Sequence, residues 1–312
     1  MTLQISDFRF QIGLVLAACL VAAPRLAAAQ LPSADVTVAD TRASGGLSLT
    51  IFTATTLGST VAPSVLIGVE VDGLPGRAAA QANLLRQLEL GYLAEIGGTT
   101  VARHALTVPM GDAATVRRAA EQGLRVIAKL PLAAGQYRLR VTVRDTGDGR
   151  TASVVHGLDV PNLIGEPLTM SDLVMTASKV GGVTYPEPDA DALSPLVGRP
   201  PTGRRQFSRG EKVEVNAEIY EAPTCDGLGV NLNVATTILT PEGRVLHESV
   251  DIGTSETLPT GVFGYQHYAL VPIATLPPGP YILRVSVSVD GATAVWRAMP
   301  ITVTDEKVKT EN

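Results

Sequence analysis

Cysteine, aromatic residues and charge are all scarce in this sequence. Its 312 residues include two cysteines, 4% aromatic residues and 18% charged residues, and the formal net charge is −5. A weakly acidic chain lacks the basic surface that binds nucleic acids or anionic membranes, so we expect neither partner. The 30 glycines and 21 prolines favour short strands joined by turns over a bundle of helices.

Residues 1–29 predict export. Arg9 precedes the apolar run Ile12–Ala23, which is too short to span a bilayer. After it, Leu26-Ala27-Ala28-Ala29 ends in the small-residue pattern that signal peptidase accepts. We therefore predict a signal peptide cleaved after Ala29, with Gln30 as the first mature residue, and a periplasmic or extracellular location. The rest of the sequence contains no apolar segment of transmembrane length.

The alternative is a lipoprotein, because Leu16-Ala17-Ala18-Cys19 has the spacing of a lipobox, and a lipidated Cys19 would tether the chain to a membrane. The apolar run continues past Cys19, which favours cleavage after Ala29. That cleavage leaves Cys225 as the only thiol and excludes an internal disulfide. Cys225 lies in a turn-like stretch with no histidine nearby, so we interpret it as a loop cysteine rather than a reactive thiol or an intermolecular bridge.

One phrase occurs twice, as Ala133–Val141 (AAGQYRLRV) and Pro277–Val285 (PPGPYILRV). In each copy a glycine is followed two residues later by a tyrosine, after which apolar residues recur at every second position, as in a strand with one buried face. Such a tyrosine is typical of the tyrosine corner of immunoglobulin-like sandwiches, in which its hydroxyl bonds to the chain upstream. Tyr137 and Tyr281 therefore predict an all-β fold of two tandem immunoglobulin-like or fibronectin-III-like sandwiches.

The first sandwich is predicted over 30–163 and the second over 164–305, with a charged tail at 306–312. Turns separate the remaining strands at the spacing of antiparallel sheets. The strands predicted besides the two that start at the tyrosines are 47–51, 65–71, 88–94, 124–130, 152–160, 172–177, 213–219, 232–239, 245–250, 265–271 and 294–303.

Two segments depart from this pattern. Asp112–Gly123 has an N-terminal aspartate, apolar residues at helical spacing and a final glycine, which predicts a short helix at one end of the first sandwich. Residues 179–205 contain five prolines and predict a long loop within the second sandwich. Loops of that length are either functional or disordered.

Several phrases occur in a fixed order: LELGYLAE at 88–95, the first corner, LDVP at 158–161, QFSRG at 206–210 and the second corner. This order resembles the C-terminal region of secreted bacterial proteins related to von Willebrand factor A, described mainly from acidobacterial genomes. The resemblance covers the chain from about Leu88 onward and implies a sandwich appendage of no known activity. The Asp-x-Ser-x-Ser metal motif of the adhesion domain does not occur in this sequence, so metal-dependent adhesion is not carried over.

Sequence motifs for chemistry are missing. His104, His156, His247 and His267 lack the HxH and HExxH spacings of metal sites, and we interpret them as strand or surface residues. The sequence has no nucleophile elbow and no phosphate-binding glycine loop. We therefore expect no catalytic residue, no cofactor and no metal.

Two acidic stretches have some likeness to calcium loops. Asp145–Gly149 lacks the Asp-x-Asp-x-Asp-Gly spacing and has the chemistry of a hairpin turn. Glu187, Asp189 and Asp191 alternate along the proline-rich loop, where solvated charges are the simpler interpretation.

The one local basic cluster surrounds Phe207. It consists of Arg204, Arg205, Arg209 and Lys212. Such a cluster could bind an anionic polymer, although in an acidic chain it more often marks a solvated strand entrance. We take Arg204, Arg205, Phe207 and the single tryptophan, Trp296, as candidate interaction residues.

These patterns predict an exported, non-enzymatic structural or interaction module of the bacterial envelope or exterior, with another protein or an envelope component as its partner. A carbohydrate-binding module is the alternative, and it needs exposed aromatic residues from among Tyr185, Tyr265, Tyr268 and Trp296. A hydrolase is a third hypothesis, and it needs two carboxylates of the 179–205 loop within about 10 Å in one cleft.

Overall fold

The structure is a computed structural model, and it describes residues 46–57, 63–74, 86–111, 113–163, 166–178, 183–186, 201–222, 231–258, 262–289 and 292–305. These ranges contain 18 strands, one α-helix and one short 3-10 helix. The strands form four sheets, which pair into two sandwiches. The predicted all-β fold of tandem sandwiches is confirmed.

The first sandwich is built from seven consecutive strands and the helix. They are β1 (Ser48–Leu57), β2 (Pro63–Asp72), β3 (Gln87–Ile96), β4 (Thr99–Pro109), α1 (Ala113–Gln122), β5 (Leu124–Pro131), β6 (Gly135–Asp145) and β7 (Thr151–Val160).

The later part of the chain contributes eleven strands and the 3-10 helix. They are β8 (Leu168–Met170), β9 (Val174–Ala177), β10 (Val183–Pro186), β11 (Gln206–Ser208), β12 (Val213–Glu221), β13 (Asn231–Leu239), β14 (Val245–Thr254), β15 (Glu256–Thr257), β16 (Phe263–Val271), the 3-10 helix Ile273–Thr275, β17 (Gly279–Val289) and β18 (Ala292–Thr304).

The main strands have the same arrangement in both sandwiches, and each sandwich adds short strands of its own. In the first, sheet A has the order β1-β2-β5-β10 and sheet B the order β4-β3-β6-β7. In the second, sheet C has the order β15-β16-β12-β8, with β9 also on β12, and sheet D the order β11-β18-β17-β13-β14. In each, the fourth main strand (β4 or β14) pairs with the third (β3 or β13) and forms a sheet edge. The chain therefore repeats one immunoglobulin-like topology.

Apolar side chains alternate with polar ones along the strands, and the apolar faces form the two cores. On β2, Val65, Val69 and Val71 are fully buried between sheets A and B. On β12, Val213 and Val215 are fully buried between sheets C and D. β4 was missed by the sequence analysis because most of its side chains are exposed or half-buried, so its apolar residues show no buried stripe.

Helix α1 lies where the sequence predicts a helix. Val116 and Ala119 are buried against the first core. The helix ends at Gln122 and is followed by Gly123, whose φ of 83° lies in the left-handed region that glycine adopts readily. The predicted N-cap, Asp112, falls outside the described residues.

Both tyrosines make the hydrogen bond that a tyrosine corner requires. The Tyr137 hydroxyl donates to the carbonyl oxygen of Ala133 at 2.8 Å, and the Tyr281 hydroxyl donates to that of Pro277 at 2.6 Å. The two rings are 8% and 7% exposed, so these bonds lie largely out of water. Each corner therefore ties the turn before β6 or β17 to the strand that follows.

The proline-rich stretch is more than a loop of the second sandwich. β10, which lies within it, runs parallel to β5 and extends sheet A of the first sandwich. Beyond it, Thr202 Oγ1 and the Gly203 amide donate to Glu70 of β2 at 2.8 and 3.3 Å. Residues 183–186 and 202–203 come after the first strands of the second sandwich in the sequence, yet they pack on the first sandwich.

The outer face of sheet A is buried by the second sandwich. Phe52, Ala54, Leu66 and Ile127 point away from the first core, yet they are between 1% and 6% exposed and pack against Val174 of β9. Burial of apolar side chains from water stabilises this contact. The two sandwiches belong to one compact unit, Pro32–Asn312.

Polar side chains of the second sandwich form hydrogen bonds with backbone amides at the edge of β1. The Thr55 amide donates to Asp172 Oδ2 at 2.7 Å, and the Leu57 amide donates to the Tyr220 hydroxyl at 2.9 Å. The Tyr220 hydroxyl in turn donates to the Glu218 carboxylate. Glu218 is 3% exposed, and burial raises its pKa. These hydrogen bonds occupy backbone groups at the edge of β1, which could otherwise pair with a strand of another chain.

Replacing either corner tyrosine by phenylalanine should lower the free energy of unfolding by about 1 kcal/mol, because the carbonyl partner loses its buried donor. Urea denaturation of Tyr137→Phe and Tyr281→Phe checks this. Tyr268→Phe serves as a control, since Tyr268 is 44% exposed and its change should stay within about 0.5 kcal/mol. Unchanged unfolding midpoints in both corner variants would contradict the corner assignment.

Candidate functional site

The basic cluster of the sequence analysis is only partly open: Arg209 and Lys212 are exposed, whereas Arg204 and Arg205 are half-buried. Phe207 is 0% exposed and belongs to the second core. Arg204 lies 5.4 Å from the centre of its ring and binds both carboxylate oxygens of Glu211, at 2.8 and 3.0 Å. Arg205 donates to the carbonyl oxygens of Thr202 and Arg204. The prediction of Phe207 as a surface contact is wrong, because its ring fills the core and the arginines are held around it.

The four candidate aromatic residues differ in their exposure to solvent. Tyr268 is 44% exposed, whereas Tyr185, Tyr265 and Trp296 are half-buried. The Tyr185 hydroxyl donates to the carbonyl oxygen of Pro109 at 2.8 Å, and the Tyr265 ring packs over Gly253. These contacts assign Tyr185 and Tyr265 to packing between strands.

The acidic hairpin is an ion-pair cluster. The Asp145 carboxylate is 0% exposed and binds the Arg86 guanidinium, and Asp148 pairs with Arg150 at 2.8 Å. Within the described ranges, no three His, Cys, Asp or Glu side chains are grouped as metal ligands. Cys225 and the three acidic residues Glu187, Asp189 and Asp191 lie outside those ranges.

Exposed apolar side chains are concentrated on two strands of the second sandwich. Among the described residues, eight large hydrophobic side chains are exposed, and six of them lie on these strands: Val245, Leu246, Val250 and Ile252 on β14, and Tyr268 and Leu270 on β16. Ile252 is 80% exposed and Leu270 61%. β14 ends sheet D, and in the described part of the chain no strand pairs with its other side. β15 ends sheet C but pairs only with Phe263 and Gly264 of β16. We call β14 and β16 the open edges of the second sandwich.

The open edges are joined by a polar contact between the sheets. His267 of β16 is 1% exposed, and its Nε2 lies 2.8 Å from Oγ1 of Thr236 on β13. Its Nδ1 lies 3.3 Å from Oδ2 of Asp251 on β14. The Nε2 atom and the threonine hydroxyl share one hydrogen bond, whereas Nδ1 lies close to the carboxylate without hydrogen-bond geometry.

This Asp251–His267–Thr236 order is that of an acid, a base and a hydroxyl nucleophile, but the site is closed. Thr236 and His267 are each 1% exposed, so a substrate cannot reach the hydroxyl. The contact therefore connects sheets C and D at the open edges. The sequence analysis missed this contact because its three residues lie on three different strands. The only signal in the sequence is the alternation along β16, which places His267 on the buried face.

Burial lowers the pKa of His267, and the negative charge of Asp251 offsets part of this effect. The folded protein thus holds the ring neutral. Asp251 is 48% exposed, so its carboxylate also reaches solvent. The open edges therefore carry both apolar and acidic groups.

No protein-family model matches this chain. No curated protein matches it either. The helix found in the described ranges is too short to cross a membrane.

Several solved structures share β-sandwich architecture with parts of this chain. Dimeric latent PorU from Porphyromonas gingivalis is 16% identical to this chain, with a TM-score of 0.30. The match covers 84% of this chain and 20% of the PorU chain. A β-glucuronidase from Bacteroides uniformis is 11% identical, with 76% and 26% covered and a TM-score of 0.24. The fibronectin(III)-like modules of CbhA from Clostridium thermocellum are 12% identical, with 79% and 90% covered and a TM-score of 0.19. The chain thus spans 26% or less of the first two proteins' length, and the likeness concerns the fold alone.

Acid should weaken the second sandwich through His267. Because the folded state lowers the pKa of this ring from its ordinary 6.5, protonation favours the unfolded chain. The stability from the neutral ring is present above pH 6.5 and is lost as the pH falls toward the lowered pKa. Urea unfolding between pH 5 and 8 should show this loss in the parent and a smaller one in His267→Gln. His247→Gln is the matched control and should keep the parental slope; equal slopes in all three proteins would refute the account.

Proposed function

We propose that this protein is an exported, non-enzymatic interaction module that binds an extended segment of another envelope protein along β14. Residues 1–29, with their signal-peptide pattern, support export to the periplasm or beyond. The resemblance to secreted von Willebrand factor A-related proteins points the same way. Within this proposal the tandem sandwiches act as a rigid support for the binding edge.

The observation that carries the proposal is the apolar surface of β14. An unpaired edge strand offers a row of backbone donors and acceptors to a strand of a partner. Natural edge strands usually limit such pairing with charges or proline. β14 carries the charged residues Glu248 and Asp251, but it also exposes Val245, Leu246, Val250 and Ile252. Val250 and Ile252 pair with Ala235 and Asn233 of β13, so both lie on the outer face of sheet D.

Charge defines the partner further. Between residues 240 and 258 the acidic residues Glu242, Glu248, Asp251 and Glu256 outnumber the single basic residue, Arg244. An acidic edge favours a partner segment with Lys or Arg beside its apolar residues. The proposed ligand is therefore an extended, apolar and basic stretch of protein.

The topologically equivalent edge of the first sandwich is less suited to this role. β4 also ends its sheet, but of the most exposed large hydrophobic residues it carries only Val101, which is 49% exposed. A substitution on β4 therefore supplies a matched control on the same molecule.

Two lysines on β14 should abolish partner binding. Val250→Lys with Ile252→Lys places charge at the centre of the apolar surface, and because both side chains are exposed the free energy of unfolding should change by less than about 1 kcal/mol. The measurement is quantitative mass spectrometry of proteins that co-purify with each variant after crosslinking in the native host. We expect at least one partner to be lost with the double variant and kept with Val101→Lys.

Retention of every crosslinked partner by the double variant would contradict the β14 assignment. The intact mass of the purified chain, measured in the same preparation, tests the exported status. A chain that begins at Gln30 fits a free exported protein, a lipidated chain that begins at Cys19 fits a membrane-tethered one, and an unprocessed chain contradicts export.

A further inference from the structure

The outer face of sheet D holds an arginine that no other described residue binds. Arg284 of β17 is half-buried and lies opposite Thr237 of β13 and Ala298 of β18. Its guanidinium has neither a hydrogen-bond nor an ion-pair partner among the described residues; its Nε atom is buried, and Nη1 and Nη2 remain accessible. Because a partly desolvated cation is costly without a partner, an anion at this position would be favoured.

The single tryptophan lies beside this arginine. Trp296 is two residues from Ala298 on β18, so it projects from the same face of sheet D as Arg284. Diagonal neighbours of this kind are about 7–8 Å apart, which long side chains and aromatic rings can span. Trp296 is half-buried, so part of it stays in contact with solvent. A guanidinium and an indole therefore share one accessible surface.

Small side chains leave room next to both groups. Ser286 lies directly opposite Trp296 on one side and Ala235 on the other. Val250 of β14 continues this row across the sheet. Ser286 and Ala235 thus form the floor of a shallow depression, and the larger side chains of Trp296, Arg284 and Val250 surround it.

The equivalent place in the first sandwich lacks the tryptophan. Arg140 of β6 follows the first corner tyrosine by three residues, as Arg284 follows the second, and it is also half-buried on an outer sheet face. Where the second sandwich has Trp296, the first has Ser153 of β7, opposite Thr142. The arginine is thus common to both repeats, and the indole belongs to the second alone.

We propose that the outer face of sheet D, between β14 and β18, binds a carboxylated sugar such as a hexuronic acid residue of an acidic polysaccharide. The two terminal nitrogens of Arg284 donate to the carboxylate, whose geometry they match. The indole of Trp296 packs against the apolar C–H face of the sugar ring. The Ser286 hydroxyl donates to a sugar hydroxyl.

This site does not rest on the proposed function. A partner strand would add at the free edge of β14, whereas the sugar lies across β13 and β17, on the face of the sheet.

The only tryptophan of the chain provides the readout. The mature chain from Gln30 is titrated with trigalacturonate, and we expect a saturable change in the fluorescence of Trp296. The methyl ester of the same trisaccharide keeps the sugar rings and loses the charges. It should bind about tenfold more weakly or worse, because the hydrogen bonds to a charged group are lost. Equal binding of acid and ester, or no change at millimolar trigalacturonate, would overturn the proposal.

Two matched variants test the arginine. Arg284→Gln should weaken trigalacturonate binding about tenfold. Arg140→Gln makes the same change at the equivalent position of the first sandwich and should leave binding unchanged. Urea unfolding checks that both variants are folded, and the comparison of acid with ester needs no variant. Equal weakening by the two variants would mean that charge attracts the sugar without a site, and it would overturn the proposal.

A triglutamate peptide separates a sugar from an acidic segment of protein. It offers three carboxylates without a ring to pack on Trp296, so it should bind about tenfold more weakly than trigalacturonate. Binding of equal strength would make the ligand an acidic peptide and overturn the saccharide. The crosslinking experiment on β14 decides the proposed function separately. Arg284→Gln should keep the crosslinked proteins, and their loss would merge the two sites and overturn this one.

Discussion

The contact between the outer face of sheet A and the second sandwich governs the rest of the structure. A sheet of an isolated sandwich could expose this face to water, but here Phe52, Leu66 and Ile127 are buried between the repeats. Glu218 and Tyr220 complete the contact by hydrogen bonds that end on the β1 edge. Because a buried carboxylate is costly without partners, this arrangement favours one relative placement of the two sandwiches.

That placement decides which strand edges stay accessible. The β1 edge is closed by Asp172 and Tyr220, and the β5 edge is closed by β10. In the second sandwich, β14 and β16 keep apolar side chains in solvent. The His267 contact connects these two strands across the sheets.

Local patterns were sufficient to predict the class of fold. The repeated Gly-x-Tyr phrases and the alternation after them predicted two sandwiches, and Asp112–Gly123 predicted the helix, because strands, turns and caps depend on neighbouring residues. Contacts between distant segments were not accessible in this way. Nothing local shows that residues 183–186 pair with β5, that Phe207 fills the second core, or that Asp251 and Thr236 meet His267. Each depends on which sheet a segment joins.

Differential scanning calorimetry of the mature chain tests most directly whether the two repeats form one body. With the outer face of sheet A buried by the second sandwich, neither sandwich can unfold without exposing the apolar surface of the other. The account predicts a single transition whose van't Hoff and calorimetric enthalpies agree. Two separate transitions, or a van't Hoff enthalpy near half of the calorimetric one, would show that the sandwiches unfold independently and would contradict it.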